Sequence, residues 1–236
     1  MHTKTMALVL KNANYRDYDR MLTLFSGDMG RVDVLARGCR KQNSPLLPLS
    51  SVFACGEFYL AQKGDRYYLE QGVLKDSFFE LRGKMSALTV AMTMTEVAER
   101  VVMPEQPNKR LFALMVNALF YLAREGIPED IFVFFVFKLL DILGLRPLTD
   151  RCIACGAEKI VAADKDGGGG LCAECSSEEE KAAFADLQKV LATPSTGILS
   201  FHAEKRESSF EIACNWLTDA LEYEPKSLVI LKTVIK

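Results

Sequence analysis

Two cysteine pairs, Cys152-Ile153-Ala154-Cys155 and Cys172-Ala173-Glu174-Cys175, stand sixteen residues apart in a chain of 236. A two-residue spacing lets both thiolates of a pair reach one ion, and two such knuckles supply the four tetrahedral sulfur ligands of a structural Zn²⁺. Gly156, directly after the first pair, allows the tight backbone that a knuckle needs. The spacing therefore predicts a small metal module over residues 151–177 holding one structural zinc through Cys152, Cys155, Cys172 and Cys175. Other readings fit less well. A redox pair comes singly on a βαβ unit, two disulfides need an oxidising compartment, and an iron–sulfur cluster is a rarer occupant of paired knuckles. A knuckle that has lost its metal is the bland alternative. Four thiolates leave no open position for a catalytic water. Cys39, Cys55 and Cys214 are scattered and read as packing residues.

The chain ahead of this module changes period once. Up to residue 80, short apolar or alternating runs at Thr5–Asn12, Met21–Phe25, Arg31–Ala36, Val52–Ala61 and Tyr67–Val73 are separated by turn formers. Lys63-Gly64-Asp65-Arg66 reads as a hairpin turn. Five strands in so short a span fit a small closed barrel, since closure removes exposed edges. From Leu81 the period is helical, with Met85, Leu88, Met92, Thr95, Val97 and Val101 as the expected inward face of a first helix ended by Pro104 and Pro107. Leu111, Met115, Leu119 and Leu122 mark a second, closed by Gly126 and Pro128. Ile131–Leu143 is apolar nearly all round and reads as the central helix of a bundle, stopped by Gly144 and Pro147. Helices over 178–192 and 209–223 follow, the latter with Ile212, Trp216 and Leu217 facing inward. Gly167–Gly170 reads as a flexible turn between the knuckles rather than a phosphate loop, because no Gly-Lys-Ser/Thr follows it. The expected organisation is α+β and multidomain: a five-stranded barrel over 1–80, a helical domain over 81–150 and 178–236, and the inserted four-cysteine zinc module.

Charge separates these parts. The net −2 divides into +2 for residues 1–80, +1 for 81–151 and −5 for 152–236. Arg31, Arg37, Arg40 and Lys41 outweigh Asp33 in the stretch 31–41, where a strand is expected to run into a mobile basic loop. Barrels of this size hold single strands with such loops and with aromatic platforms, here Tyr15, Tyr18, Phe53, Phe58, Tyr59, Tyr67 and Tyr68. The alternative is a solvated basic surface over core aromatics. Catalysis has little material: the only histidines are His2 and His202, and no nucleophile elbow, Rossmann glycine pattern or His-Glu-x-x-His is present. Asp17 and Asp19 read as solvated loop carboxylates. A non-enzymatic protein is expected. No secretory signal or membrane span is visible, and an odd number of cysteines suits a reducing cytoplasm.

The order of these parts resembles the RecO family of bacterial DNA-repair and recombination mediators over almost the whole chain. The matching segments are Tyr15-Arg16-Asp17-Tyr18-Asp19-Arg20, Leu22–Ser26, Gly30-Arg31, Leu35–Arg40, Phe134–Leu145 with Pro147, Cys152–Gly156 and Gly169–Cys175. The resemblance implies an N-terminal OB-fold, a helical bundle and a zinc module. It further implies binding and annealing of single- and double-stranded DNA, work with RecR, capture of the C-terminal tail of the single-stranded-DNA-binding protein, and help in loading RecA, in a nucleoid-associated cytoplasmic setting. On this basis Arg31, Arg37, Arg40 and Lys41 are DNA contacts. Lys138 is the candidate basic anchor for the acidic, apolar-ended tail, against the simpler reading of a surface pair with Asp141. A pI near 5.8, with the acidity towards the C-terminus, favours confining DNA contact to the barrel and its neighbours. The runner-up reading is a zinc-containing protein–protein adaptor that binds no DNA.

Overall fold

The computed structural model describes residues 2–146, 149–166 and 169–235. Five strands, β1 (His2–Tyr15), β2 (Asp19–Ser26), β3 (Gly30–Ala36), β4 (Cys55–Lys63) and β5 (Arg66–Asp76), close in the order β1-β2-β3-β5-β4. All neighbours are antiparallel except β3 and β5, which run parallel over Val34↔Tyr67 and Leu35↔Tyr68. Alternation drives the closure: Leu22 and Leu24 of β2, Val32 and Val34 of β3, and Phe58 and Leu60 of β4 all turn into one apolar interior. This is the expected five-stranded barrel, with strands longer than their apolar runs. The fourth begins at Cys55 rather than Val52, because Phe53 takes a positive φ of 73° in the turn ahead of it.

Among the described residues six helices follow: α1 (Met85–Val101), α2 (Lys109–Ala123), α3 (Pro128–Leu143), α4 (Glu178–Ala192), α5 (Arg206–Leu221) and α6 (Lys226–Val234). The chain forms two compact units. One comprises the residues up to Gly83 with Met94–Val116; the other comprises Lys84–Thr93 with the chain from Asn117 onward. In the second unit α3 is the central element, buried on every face from Asp130 to Leu140 and packed against α4 and α5. Its phenylalanines meet partners at ring distances of 5.2–5.8 Å: Phe132 with Phe210, Phe134 with Phe201, and Phe137 with Trp216.

Three expectations need correction. Pro128 opens α3 instead of closing α2, since its missing N–H costs nothing at the first helical position. The inward face of α1 is Ala87, Val90, Ala91, Met94, Val97 and Ala98, while Met85 and Met92 are exposed. Of the expected face, Thr95 and Val97 are buried as read. The last helix, α6, and a two-strand ribbon in the four-cysteine module, β6 (Ala162–Ala163) with β7 (Gly170–Leu171), carry too little periodicity to be read from sequence. Gly144 ends α3 as expected, in the left-handed conformation (φ 72°), with its N–H donating to Asp141 and Leu140 carbonyls. Pro147, Gly167 and Gly168 lie outside the described residues.

Candidate nucleic-acid interface and metal centre

Barrel register brings three connections to one end: the β1–β2 turn, the exit from β3 and the β4–β5 turn. Tyr15 pairs with Asp19, Arg20 with Ala36, Leu35 with Tyr68, and Lys63 with Arg66. Six exposed cations therefore share this end: Arg16, Arg37, Arg40, Lys41, Lys63 and Arg66. Among the described residues none of the six has a carboxylate within 4.0 Å, whereas Lys4, Lys11, Lys75 and Lys109 of the same unit all do. Four of these cations lie instead over tyrosine rings. Arg37 is 4.6 Å from the centre of Tyr68, with Lys63 at 6.0 Å, Arg16 is 5.4 Å from Tyr15, and Lys41 is 5.9 Å from Tyr18. Cations without a carboxylate of the described residues within 4.0 Å, set over flat aromatic rings, present the two groups that a polyanion with stacked bases uses.

The loop after β3 is clasped to the barrel end. Gly38 donates its N–H to the Asp19 carboxylate at 2.7 Å, Arg40 N–H to the Tyr18 carbonyl at 2.9 Å, and the Arg40 guanidinium to the Asp17 carbonyl at 3.2 Å. Asp19 is thus a structural acceptor rather than a solvated loop charge. The positive φ of Gly38, 65°, makes the turn possible.

The sequence grouped Arg31 with this patch, and the structure does not. Arg31 sits at the start of β3, opposite Phe25, six strand positions or about 20 Å from Arg37. Its guanidinium donates to the Glu99 carbonyl at 3.2 Å. Conversely Arg16, Lys63 and Arg66 escaped sequence reasoning, although the hairpin turn that carries the last two was visible in it. Of the proposed platforms, Phe53 and Phe58 are core residues, Tyr15 and Tyr18 are exposed, and Tyr59, Tyr67 and Tyr68 are half-buried.

In the second unit the four cysteines of the paired knuckles converge. Their Sγ atoms all lie within 4.8 Å of one another, and Cys155 and Cys172 are 3.6 Å apart across the two knuckles. A tetrahedral shell with metal–sulfur bonds of about 2.3 Å has sulfur–sulfur edges of about 3.8 Å, so this donor set fits one ion. Backbone hydrogen bonds shape each knuckle: Gly156 N–H to Cys152 O at 2.8 Å, Cys175 N–H to Cys172 O at 3.2 Å, and Ile153 N–H to Gly170 O at 3.1 Å between them. Gly156 has φ 77°, as the tight turn required. Hydrogen bonds from the Cys172 backbone, and then from Cys155 and Ala154, bring the Cys152 thiol down to about 6. Contacts with the thiols of Cys172 and Cys155 push Cys175 up to about 12. Four thiolates this close repel one another, so a bound cation is what would let all four be deprotonated together. The module is anchored to α5, where Trp216 donates its indole N–H to Asp164 O at 2.7 Å and Asn215 its amide to Lys165 O at 3.1 Å.

Lys138 is not an exposed anchor. It is only 7% exposed, and its ammonium donates to Val190 O at 2.9 Å, Leu191 O at 3.2 Å and Thr193 O at 2.8 Å, closing the C-terminus of α4. The two histidines are engaged with carboxylates, His2 with Glu70 at 3.0 Å and His202 with buried Asp130 at 3.1 Å. Asp130 also accepts from Arg206 at 2.8 and 3.2 Å, which ties α5 to α3.

A closed barrel of this order with one basic end, followed by a helical unit bearing a four-thiol cluster, defines a two-part protein. Two family models match successive parts of the chain. "Recombination protein O N terminal" matches residues 1–78 and "Recombination protein O C terminal" matches residues 82–213. The chain belongs to the RecO family. It is 31% identical over 157 residues to the DNA repair protein RecO of Acetivibrio thermocellus, covering 66% of this chain and 62% of that protein. It is 35% identical over 182 residues to that of Desulforamulus reducens (75% and 70%), and 25% identical over 199 residues to that of Caldicellulosiruptor saccharolyticus (83% and 81%). Among the described residues no helix is long and apolar enough to cross a membrane.

Proposed function

We propose that this chain is a DNA-repair and recombination mediator that works by binding and exchange rather than by bond chemistry. It holds single- and double-stranded DNA at the basic end of the barrel and anneals complementary strands. With RecR it helps to load RecA onto strands coated by single-stranded-DNA-binding protein, in the bacterial cytoplasm at the nucleoid. The observation that carries this reading is the set of cations over tyrosine rings, without carboxylate partners among the described residues, at one barrel end. Such a mediator need only offer a strand a binding state of intermediate free energy between two partners. Arg37, Arg40 and Lys41 are the expected DNA contacts, joined by Arg16, Lys63 and Arg66; Arg31, engaged with Glu99, is expected to contribute least.

The four thiols are assigned to one structural Zn²⁺, which would cross-link the two knuckles and hold the module's short ribbon in place. For the acidic, apolar-ended tail of the single-stranded-DNA-binding protein, the burial of Lys138 moves the expected site. A cavity of about 700 Å³ in the helical unit is lined by Phe210, Cys214 and Ile235 together with Arg206 and Lys232. Glu129, Glu207 and Glu211 also line it, so the tail's apolar end would have to carry the affinity there.

Strand annealing in the presence of single-stranded-DNA-binding protein tests the reading. The full chain should accelerate pairing of two coated complementary oligonucleotides, and an Arg37→Ala, Arg40→Ala variant should lose most of that acceleration. A protein that binds no labelled oligonucleotide at any salt concentration would instead be the adaptor of the second reading.

A further inference from the structure

The basic end of the barrel is not a plain groove. Between the β1–β2 turn and the loop after β3 lies a cavity of about 420 Å³, lined by Arg16, Asp17, Tyr18, Asp19, Arg37, Gly38 and Lys41. Its two walls are held together by the hydrogen bonds of Gly38 to Asp19 and of Arg40 to Tyr18 and Asp17, so the hollow exists before any ligand arrives. Its volume suits one nucleotide, and it is open to solvent on one side.

Charge within the cavity is arranged unevenly. Asp19 is already engaged by the Gly38 N–H, while Arg16, Arg37 and Lys41 line the space with no carboxylate of the described residues within 4.0 Å. With Arg40 beside them, these cations exceed the two aspartates by two charges. Arg16 is held at φ 53°, a left-handed backbone that a non-glycine residue adopts at a cost and that the β1–β2 turn maintains. The Tyr18 ring, 55% exposed, supplies a flat wall for a base.

We infer that this cavity captures the end of a DNA strand through a terminal phosphomonoester. An internal phosphodiester carries one negative charge, whereas a terminal phosphate carries nearly two at neutral pH and presents three acceptor oxygens to converging donors. A terminal nucleotide can turn its phosphate and base into the hollow from its open side with only one neighbour to accommodate. The inference rests on the proposed DNA-binding role of the barrel end and narrows it: the open rim would hold the strand's path, and the cavity would hold its terminus.

The test is fluorescence anisotropy of the full chain with one labelled 20-nucleotide strand prepared with a 5′-phosphate, with a 3′-phosphate, or with hydroxyls at both ends. One phosphorylated form should bind about tenfold tighter than the hydroxyl form, the scale of one added charge-assisted contact, and which form does so identifies the end that is read. In an Arg16→Ala, Lys41→Ala variant, with an unchanged thermal melt, that advantage should fall below about twofold. Equal affinity of all three strands for the wild-type protein would overturn the inference while leaving DNA binding intact. Absence of binding by all three would overturn both.

Discussion

Replacing Lys138 by methionine should weaken the helical unit without disturbing its packing. Methionine keeps most of the unbranched stem, so the loss is centred on the ammonium and the groups it bonds, the carbonyls of α4 among them. Those acceptors, the carbonyls of Val190, Leu191 and Thr193, close the C-terminal end of α4 at 2.8–3.2 Å. A hydrogen bond to a charged group contributes about 1.5–3 kcal/mol, but three bonds to one ammonium share a single desolvation cost. The helix-end contribution adds up to about 2 kcal/mol in a partly buried setting. A net loss of about 2–4 kcal/mol follows, and for a chain of this size it corresponds to a fall in Tm of roughly 4–16 °C. Scanning calorimetry or urea unfolding followed by circular dichroism reads this directly. A methionine variant as stable as the wild type would refute the argument. So would a variant of normal stability that had lost binding to a partner peptide, because Lys138 would then be serving recognition.

Further outcomes follow from the same geometry. Chelation should lower thermal stability and release one zinc per chain. It should also red-shift the fluorescence of Trp216, the only tryptophan, because its indole N–H bonds to the Asp164 carbonyl of the metal module; emission unchanged on metal loss would count against that coupling. Burial pushes the thiols of Cys55 and Cys214 up to about 11 and about 12, so at pH 8 both stay protonated and should resist maleimide in the folded protein. Exposed Cys155 and Cys175 should be labelled only after chelation, which mass spectrometry of tryptic peptides can check.

The strands and the four-thiol cluster were legible in the sequence because each depends on short-range pattern: alternation for the barrel, fixed spacing for the knuckles. What was not legible depends on register. Arg31 is closer in sequence to Arg37 than Lys63 is, yet strand direction carries Arg31 to the far end while the β3–β5 pairing brings Lys63 and Arg66 beside Arg37. Met85 and Met92 looked like core by size and spacing, but the buried face of α1 is built largely of smaller side chains such as Ala87, Val90, Ala91 and Ala98. Lys138 looked like a surface charge on an apolar helix. Only the arrival of the C-terminal turn of α4, some fifty residues later in the chain, gives its ammonium a reason to be buried.

The salt dependence of single-stranded DNA binding tests the central claim most directly. For single strands, log K falls with log salt at a slope of about −0.7 for each phosphate neutralised. If Arg37 and Arg40 are both phosphate contacts, converting both to alanine should flatten the wild-type slope by about 1.4 and weaken binding alike at every sequence. Converting Arg31 alone should leave the slope nearly unchanged. A double variant with the wild-type slope, or an Arg31→Ala variant that flattens it as strongly, would place the DNA elsewhere on the molecule.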